Sequence, residues 1–394
     1  MKVLNYISIC KNDIFVQCKQ LLKSVPIHQQ TLRYLLSTKR EFGERSHSKM
    51  VSTDGMVVIP EKDMESLLPW NDVICAVEQA MIATSNKEDE SKPMTHQPPR
   101  AIAQKAPQFG LLFAMPGFVK NMEFEGQKYN TMACKLVTSF STNATRDPPL
   151  PNIIGNVFVF NEETGILECM MGGNLLTARR TACASTVATK NLCKKKNVEF
   201  NILAVLGPGV QGQAHAVALQ KAFNFKEIRL WNRSHRAAPV CKYLAKELPD
   251  ANITFFRDNE KAVRDADVIV TSTYAKTPIV ELEWVKPNVH INAIGAGENA
   301  HSELSESIYK IAQVYCDSSE GAKVELAGLA DIGCEVKGEI GELMLEKKPL
   351  PTEGITVYHN MGMASLDVVS AQVALHNYKK RLGLRVQSCK EEKA

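Results

Sequence analysis

Asn201-Ile202-Leu203-Ala204-Val205-Leu206-Gly207-Pro208-Gly209-Val210-Gln211-Gly212 carries an apolar strand into a glycine turn and then into a helix. This is a GxGxxG pattern in the strand–turn–helix context that gives it meaning. Gly207 permits the tight turn, Gly209 lets backbone approach a pyrophosphate, and Gly212 lets the helix pack on the strand. The helix start presents unpaired N–H groups to an anion. A merely structural glycine turn is the bland alternative, and the flanking strand and helix argue against it.

Outward from this segment the chain alternates regularly. Strand Phe200–Leu206, helix Gln213–Phe223, strand Glu227–Trp231, helix Ala238–Leu248, strand Asn252–Phe256, helix Asn259–Asp265 and strand Val268–Thr271 follow one another. His290–Ala293 and Gln313–Cys316 are further strand candidates. Such alternation predicts a parallel sheet wound with helices on both faces. Upstream the pattern differs. Strand Met56–Ile59, a helix near Glu61–Leu68, helix Trp70–Ala83 and β-like runs Gly110–Pro116, Thr131–Phe140 and Asn156–Asn161 predict a mostly antiparallel α+β unit. Gly173–Leu192 reads as a helix whose alanines permit close packing, and Thr356–Leu382 as one strand and one long helix.

The end of the second strand of the nucleotide unit bears on cofactor choice. An NAD-type site places Asp or Glu there, on the ribose 2′-OH. Here the chain reads Leu230-Trp231-Asn232-Arg233-Ser234, with no carboxylate. A guanidinium flanked by two small hydrogen-bonding side chains suits a 2′-phosphate, so NADP(H) is expected over NAD(H). A solvated Arg233 is the alternative.

Composition limits the remaining classes. The 394 residues are 44% hydrophobic and 23% charged, values ordinary for a globular protein. Apolar runs fall short of a membrane span. Residues 1–49 hold nine Lys/Arg against three acids, leaving 38 basic and 40 acidic side chains in the rest. That near-neutral body argues against a nucleic-acid surface. The basic segment reads either as a dispensable extension or as a mitochondrial targeting segment. Eleven cysteines without a CxxC read as reduced thiols of a cytoplasmic protein. His96, His215, His290, His301 and His359 are scattered, and no metal constellation emerges.

Three cations stand outside the nucleotide unit: Arg100 after a Pro-Pro pair, Lys135 inside an apolar strand, and Arg180 on the small-residue helix. Singly, each is more often a solvated or paired charge than a ligand. Lys135 fits that reading least, because alternation puts it on a face with Ala133 and Val137, where an unpaired ammonium is costly.

The segments Ala133–Phe140 (ACKLVTSF), Gly173–Lys190 (GNLLTARRTACASTVATK), Leu206–Gln211 (LGPGVQ), Ile228–Ser234 (IRLWNRS), Trp284–Gly297 (WVKPNVHINAIGAG) and Gly362–Ala364 resemble the ornithine cyclodeaminase/mu-crystallin family. The likeness spans roughly Val51 to Tyr378 and is strongest in the run through Arg180. It implies a Rossmann-type doubly wound sheet (179–355) inserted into an α+β substrate and dimerisation domain (50–178 and 356–385), in a homodimer. It implies NADPH-dependent reduction of cyclic ketimine carboxylates. Arg100 and Arg180 fall on the substrate-carboxylate arginines, Lys135 on the active-site lysine, and Glu325 on an acid facing the ligand. Pro208, Val210, Gln211, Asn232, Arg233, Ser234, Thr273, Tyr274, Ile294 and Asn360 fall on cofactor positions.

Two departures qualify this. The cyclodeaminases carry an essential Asp where this chain has Gly297, with Glu298 one residue out of register, so a cyclodeaminase is disfavoured. Pro151-Asn152-Ile153 replaces a Pro-Ser-His that lines the family pocket, which puts substrate identity in question. An alanine-type amino-acid dehydrogenase and an NADPH-dependent binder of a thyroid-hormone-like ligand remain as alternatives.

Overall fold

The computed structural model describes residues 56–89, 91–106, 110–233, 238–295 and 301–383. Residues 1–49, Ser234, Gly297 and Glu298 lie outside them, so the expectations for the extension and those positions are not addressed by the structure.

The first sheet contains β1 (Val57–Ile59), β2 (Met94–His96), β3 (Ala101–Ala106), β4 (Gly110–Phe124), β5 (Gln127–Ser139), β6 (Ile153–Phe160) and β7 (Leu167–Gly172). Its order is β1-β7-β6-β5-β4-β2, with β3 also on β4, and all pairs but β1–β7 are antiparallel. Strand alternation divides β5 cleanly: Ala133 and Lys135 are buried, while Met132 is exposed and Cys134 and Leu136 half-buried. The buried face packs under helices α1 (Trp70–Ser85), α2 (Asn174–Leu192) and the long C-terminal helix (Ala364–Arg381).

The second sheet holds β8 (Ile202–Leu206), β9 (Glu227–Trp231), β10 (Ile253–Phe256), β11 (Val268–Thr271), β12 (His290–Ala293), β13 (Gln313–Cys316), β14 (Val336–Glu339) and β15 (Thr356–His359). All are parallel, in the order β10-β9-β8-β11-β12-β15-β13-β14. Leu203 and Val205 of β8 enter the core beneath helices α3 (Val210–Phe223) and α4 (Ala238–Glu247). Ala204 and Leu206 enter a separate core on the opposite face. Burial of both faces is why the central strands β8 and β11 read as nearly unbroken apolar runs. The fold is therefore a Rossmann-type doubly wound sheet joined to an α+β unit.

The structure moves one boundary. Thr356–His359, grouped in the sequence reading with the C-terminal part of the α+β unit, pairs between β12 and β13. Val357 is buried in the second sheet's core, so only the helix after β15 returns to the first sheet. The short strands β2, β3, β7 and β14 were not anticipated, because polar residues or glycine interrupt their pattern. β4 extends through Pro116, which lies opposite the break between β2 and β3, where no strand on that side needs its missing N–H. That break, residues 97–100, brings Arg100 inward.

Candidate active site

The nucleotide turn has the geometry its sequence suggests. Gly207 has φ +91°, and a Cβ there would approach Thr273 Cγ2 and the Ser272 carbonyl. A Cβ on Gly212 would run into the Gly207 carbonyl oxygen, whereas Gly209 faces open space, as backbone approach to a diphosphate requires. Ser272 Oγ donates to the Gly207 carbonyl at 2.7 Å and ties the turn to the strand across the β8/β11 crevice. There the strand order reverses direction, the place where such sheets bind ligands. Helix α3 starts at Val210 with Gly209 as N-cap and no side-chain cap, leaving its first N–H groups for an anion. Val210 and Tyr274 expose large apolar side chains beside the crevice. Asn232 is half-buried and Arg233 exposed at the end of β9.

Behind the turn, His215 of α3 bonds the Gln211 carbonyl at 2.7 Å and Ser185 Oγ at 2.9 Å. Burial lowers its pKa to about 4, so it is a neutral tie between α2 and α3. Asn360, after β15, donates to the same Ser185 Oγ (3.0 Å) and to the Thr181 carbonyl (2.8 Å). Glu303 is buried and accepts from Thr273 N and Oγ1 (each 2.6 Å) and from Gly295 N (3.0 Å), bracing the loops after β11 and β12 beside Ile294. Its pKa is raised chiefly by burial, against those hydrogen bonds.

Adjacent arginines on α2 take different tasks. Arg179 donates to the backbone carbonyls of Glu65 and Leu68 and lies over Trp70, a structural anchor. Arg180 turns toward the C-terminal helix, where its Nε meets Asp367 Oδ1 at 3.0 Å. Lys135 Nζ meets the same carboxylate at 2.8–2.9 Å, and all three side chains are almost wholly buried. Burial first, and Arg180's charge second, lower the Lys135 pKa to about 8, with Asp367 opposing them. Two buried cations thus share one carboxylate, and Arg180 Nη1 has no hydrogen-bond partner among the described residues.

Arg180 lies against Gly362, whose φ is +83° and whose missing Cβ would sit 2.7 Å from Arg180 Nη1. Only glycine fits there. Gly362 N in turn donates to Asp317 Oδ2 at 2.7 Å. Above these residues opens a cavity of about 370 Å³, lined by Arg100, Ile102, Phe113, Met115, Asp317, Glu325 and their neighbours. Arg100 bonds Glu325 at 2.8 Å and the carbonyls of Met361 and Gly362 at 3.1 and 3.3 Å. Burial raises the pKa of Glu325 and Arg100 opposes it. Burial also pushes the Asp317 carboxyl up to about 7, against the Gly362 N–H and the charges of Arg180 and Arg100.

Arg100 and Glu325 therefore line one cavity at the carboxyl end of the parallel sheet. Arg180 lies directly behind Gly362 of its floor and Lys135 behind Asp367, and neither lines it. Ile153 is 47% exposed at the start of β6 and does not line it, contrary to the place the family resemblance implies. Asp367, Asp317 and Glu303 were missed in the sequence. The two aspartates left a faint signal. Asp367 is a lone acid in Ala364-Ser365-Leu366-Asp367-Val368-Val369, and Asp317 ends the apolar strand β13.

Fold and site together define an α/β protein with a nucleotide crevice and a pocket lined by Arg100, Asp317, Glu320 and Glu325. The sequence pattern of the ornithine cyclodeaminase/mu-crystallin family matches residues 56–381, and the chain belongs to that family. It is 33% identical over 300 residues to ketimine reductase mu-crystallin of Rattus norvegicus, covering 76% of this chain and 90% of that one. Delta(1)-pyrroline-2-carboxylate reductase of Bacillus cereus is 27% identical over 327 residues, covering 80% and 95%. Among solved structures, an archaeal alanine dehydrogenase dimer with bound NAD superimposes with a TM-score of 0.71 at 26% identity, covering 85% and 99%.

Proposed function

We propose that this protein reduces an imine carbon next to a carboxylate, such as that of a cyclic ketimine acid, with NADPH. The observation that carries this reading is the gathering of three cations about one short backbone segment. Lys135 and Arg180 both pair with Asp367, Arg180 Nη1 has no hydrogen-bond partner among the described residues, and Arg100 reaches the Met361 and Gly362 carbonyls. A substrate carboxylate complements those cations, and a planar fork on each side fixes its plane. Such orientation contributes through near-attack geometry. Lys135 acts as a positioning residue, holding Asp367 and through it Arg180.

Gly207, Gly209, Gly212 and the start of α3 fit a dinucleotide diphosphate, and we assign Thr273, Tyr274, Ile294 and Asn360, which follow β11, β12 and β15, to the same cofactor. When bound, the nucleotide supplies the hydride. Asn232 and Arg233, with Ser234, support the 2′-phosphate form. An Asn232→Asp variant is expected to move the ratio of NADPH to NADH affinity at least about tenfold toward NADH, since a carboxylate repels a phosphate and accepts from a ribose hydroxyl. An unchanged ratio in fluorescence titrations would place phosphate recognition elsewhere.

The outward face of the first sheet supports a homodimer. Leu112, Pro116, Phe118, Met132, Cys134, Leu136, Ile154 and Phe158 alternate outward and stay partly or largely exposed. A contiguous apolar face of this kind marks an interaction surface.

The functional test follows NADPH and NADH oxidation on adding a cyclic ketimine carboxylate or, separately, pyruvate with ammonia. Turnover of the ketimine with NADPH preferred supports the reading. Turnover confined to pyruvate and ammonia would favour an alanine-type dehydrogenase, and tight NADPH binding without turnover a ligand carrier.

A further inference from the structure

We propose that Asp317 is the acid that protonates the imine nitrogen of the bound substrate, an inference that rests on the reductase reading above. The other candidate donors are committed or misplaced. Lys135 is locked to Asp367 and does not line the cavity. Glu325 is ion-paired with Arg100, and Glu320 is exposed at the cavity mouth.

Asp317 lines the cavity, is 2% exposed, and is fixed by one hydrogen bond, from Gly362 N to its Oδ2. Its Oδ1 has no partner among the described residues. Gly362 therefore stands between two buried atoms that have no hydrogen-bond partner among the described residues, Asp317 Oδ1 on one side and Arg180 Nη1 on the other. A carboxylate on the arginine places the adjoining imine within the acid's neighbourhood, the two being separated by a single carbon in the substrate class.

The groups facing Asp317 are Arg180 from α2, Arg100 from the break between β2 and β3, and Glu325 from the helix Ser319–Glu325. Tyr358 comes from β15 and Cys316 from the end of β13. Burial dominates over the two arginines and holds the carboxyl partly protonated near neutral pH. Protonated Asp317 also leaves the arginine cluster its net positive charge for the substrate carboxylate.

In the step, the imine nitrogen's lone pair takes the Asp317 proton, forming N–H as O–H breaks. The iminium carbon is then reduced by the hydride of the nucleotide and its C=N π electrons become the nitrogen lone pair. The product is a secondary amine, and the Asp317 carboxylate regains a proton from water. Imine, hydride and one proton enter, and amine leaves.

The test compares full-length wild type, Asp317→Asn and Asp317→Glu on Δ1-pyrroline-2-carboxylate and on its N-methyl iminium, which needs no proton. Asn still accepts the Gly362 N–H but is no acid. It is expected to lose about 10²-fold in kcat/KM on the imine and to stay within about threefold of wild type on the N-methyl iminium. Glu is expected to recover part of the loss. Wild-type kcat/KM on the imine should fall above pH of about 7, with no such fall on the iminium. Calorimetric affinity for pyrrole-2-carboxylate, which carries no imine to protonate, should survive in Asp317→Asn and show that the pocket is intact. An equal loss on both substrates, or none on either, overturns the acid role while leaving the reductase reading standing. Wild type inactive on both would overturn the two together.

Discussion

Replacing Asp367 with Asn leaves Lys135 and Arg180 buried side by side without a counter-charge. Breaking a buried pair in this way costs about 3–5 kcal/mol. Denaturant unfolding of Asp367→Asn should show that loss, and adding Lys135→Met should restore part of it; full stability in the single variant would mean the cluster is not held by charge. Asp317 has its own signature in stability. Its pKa is about 7 in the folded state against 3.8 ordinarily, so the folded protein binds the extra proton between these values. Stability from this group is present below pH of about 4 and is lost as pH rises toward 7, at about 1.4 kcal/mol per unit. The unfolding free energy of Asp317→Asn, minus that of wild type, should therefore rise across that window. A difference flat in pH would mean that Asp317 titrates normally. At this scale the cations were legible and their partners were not. Arg100, Lys135 and Arg180 stand out because a cation in an apolar or proline-bound setting is conspicuous. Asp317 and Asp367 become meaningful only when β13, β15 and the C-terminal helix, distant in sequence, meet at Gly362.

At the scale of elements, α2 and α3 hold the nucleotide turn against the pocket. Ala178 and Ala182 pack on Ala214 and Ala218, and His215 and Asn360 both bond Ser185. The close approach of α3 to β8 depends on Gly212, where a Cβ meets backbone rather than a movable side chain. Gly212→Ala is expected to weaken NADPH binding about tenfold or more and to destabilise by about 1–3 kcal/mol, the range for overpacking. Calorimetric titration with a parallel melt checks both, and unaltered affinity would argue that the turn does not hold the diphosphate. These elements were the most readable part of the chain, because strand–helix alternation and the glycine spacing are local signals. The short strands β2, β3 and β14 were less so. Their register is imposed by β4 and β13, and a strand of three to six residues carries little period of its own.

Over the whole molecule, the Rossmann-type sheet takes in β15 while the helix that follows it crosses back under β4 and β5. The same C-terminal segment thus supplies Asn360 to the nucleotide crevice, Gly362 to the pocket floor and Asp367 to the cation pair. The long-range return could be anticipated only through family resemblance, since nothing local in Thr356–Leu382 says which sheet it joins. The uncovered face of the first sheet makes a further prediction: Met132→Glu should convert a dimer to monomer in sedimentation velocity, and a monomeric wild type at micromolar concentration would contradict the face's assignment.

The central claim is that Arg180 and Arg100 orient a carboxylate for reduction of the neighbouring imine. It is tested most directly by measuring kcat/KM for NADPH-dependent reduction of Δ1-pyrroline-2-carboxylate by wild type and Arg180→Lys. A lysine keeps the charge but loses the planar fork. Loss of one charged hydrogen bond of about 1.5–3 kcal/mol predicts a fall of about ten- to hundredfold, with NADPH affinity unchanged. Wild-type turnover that Arg180→Lys leaves intact would contradict it.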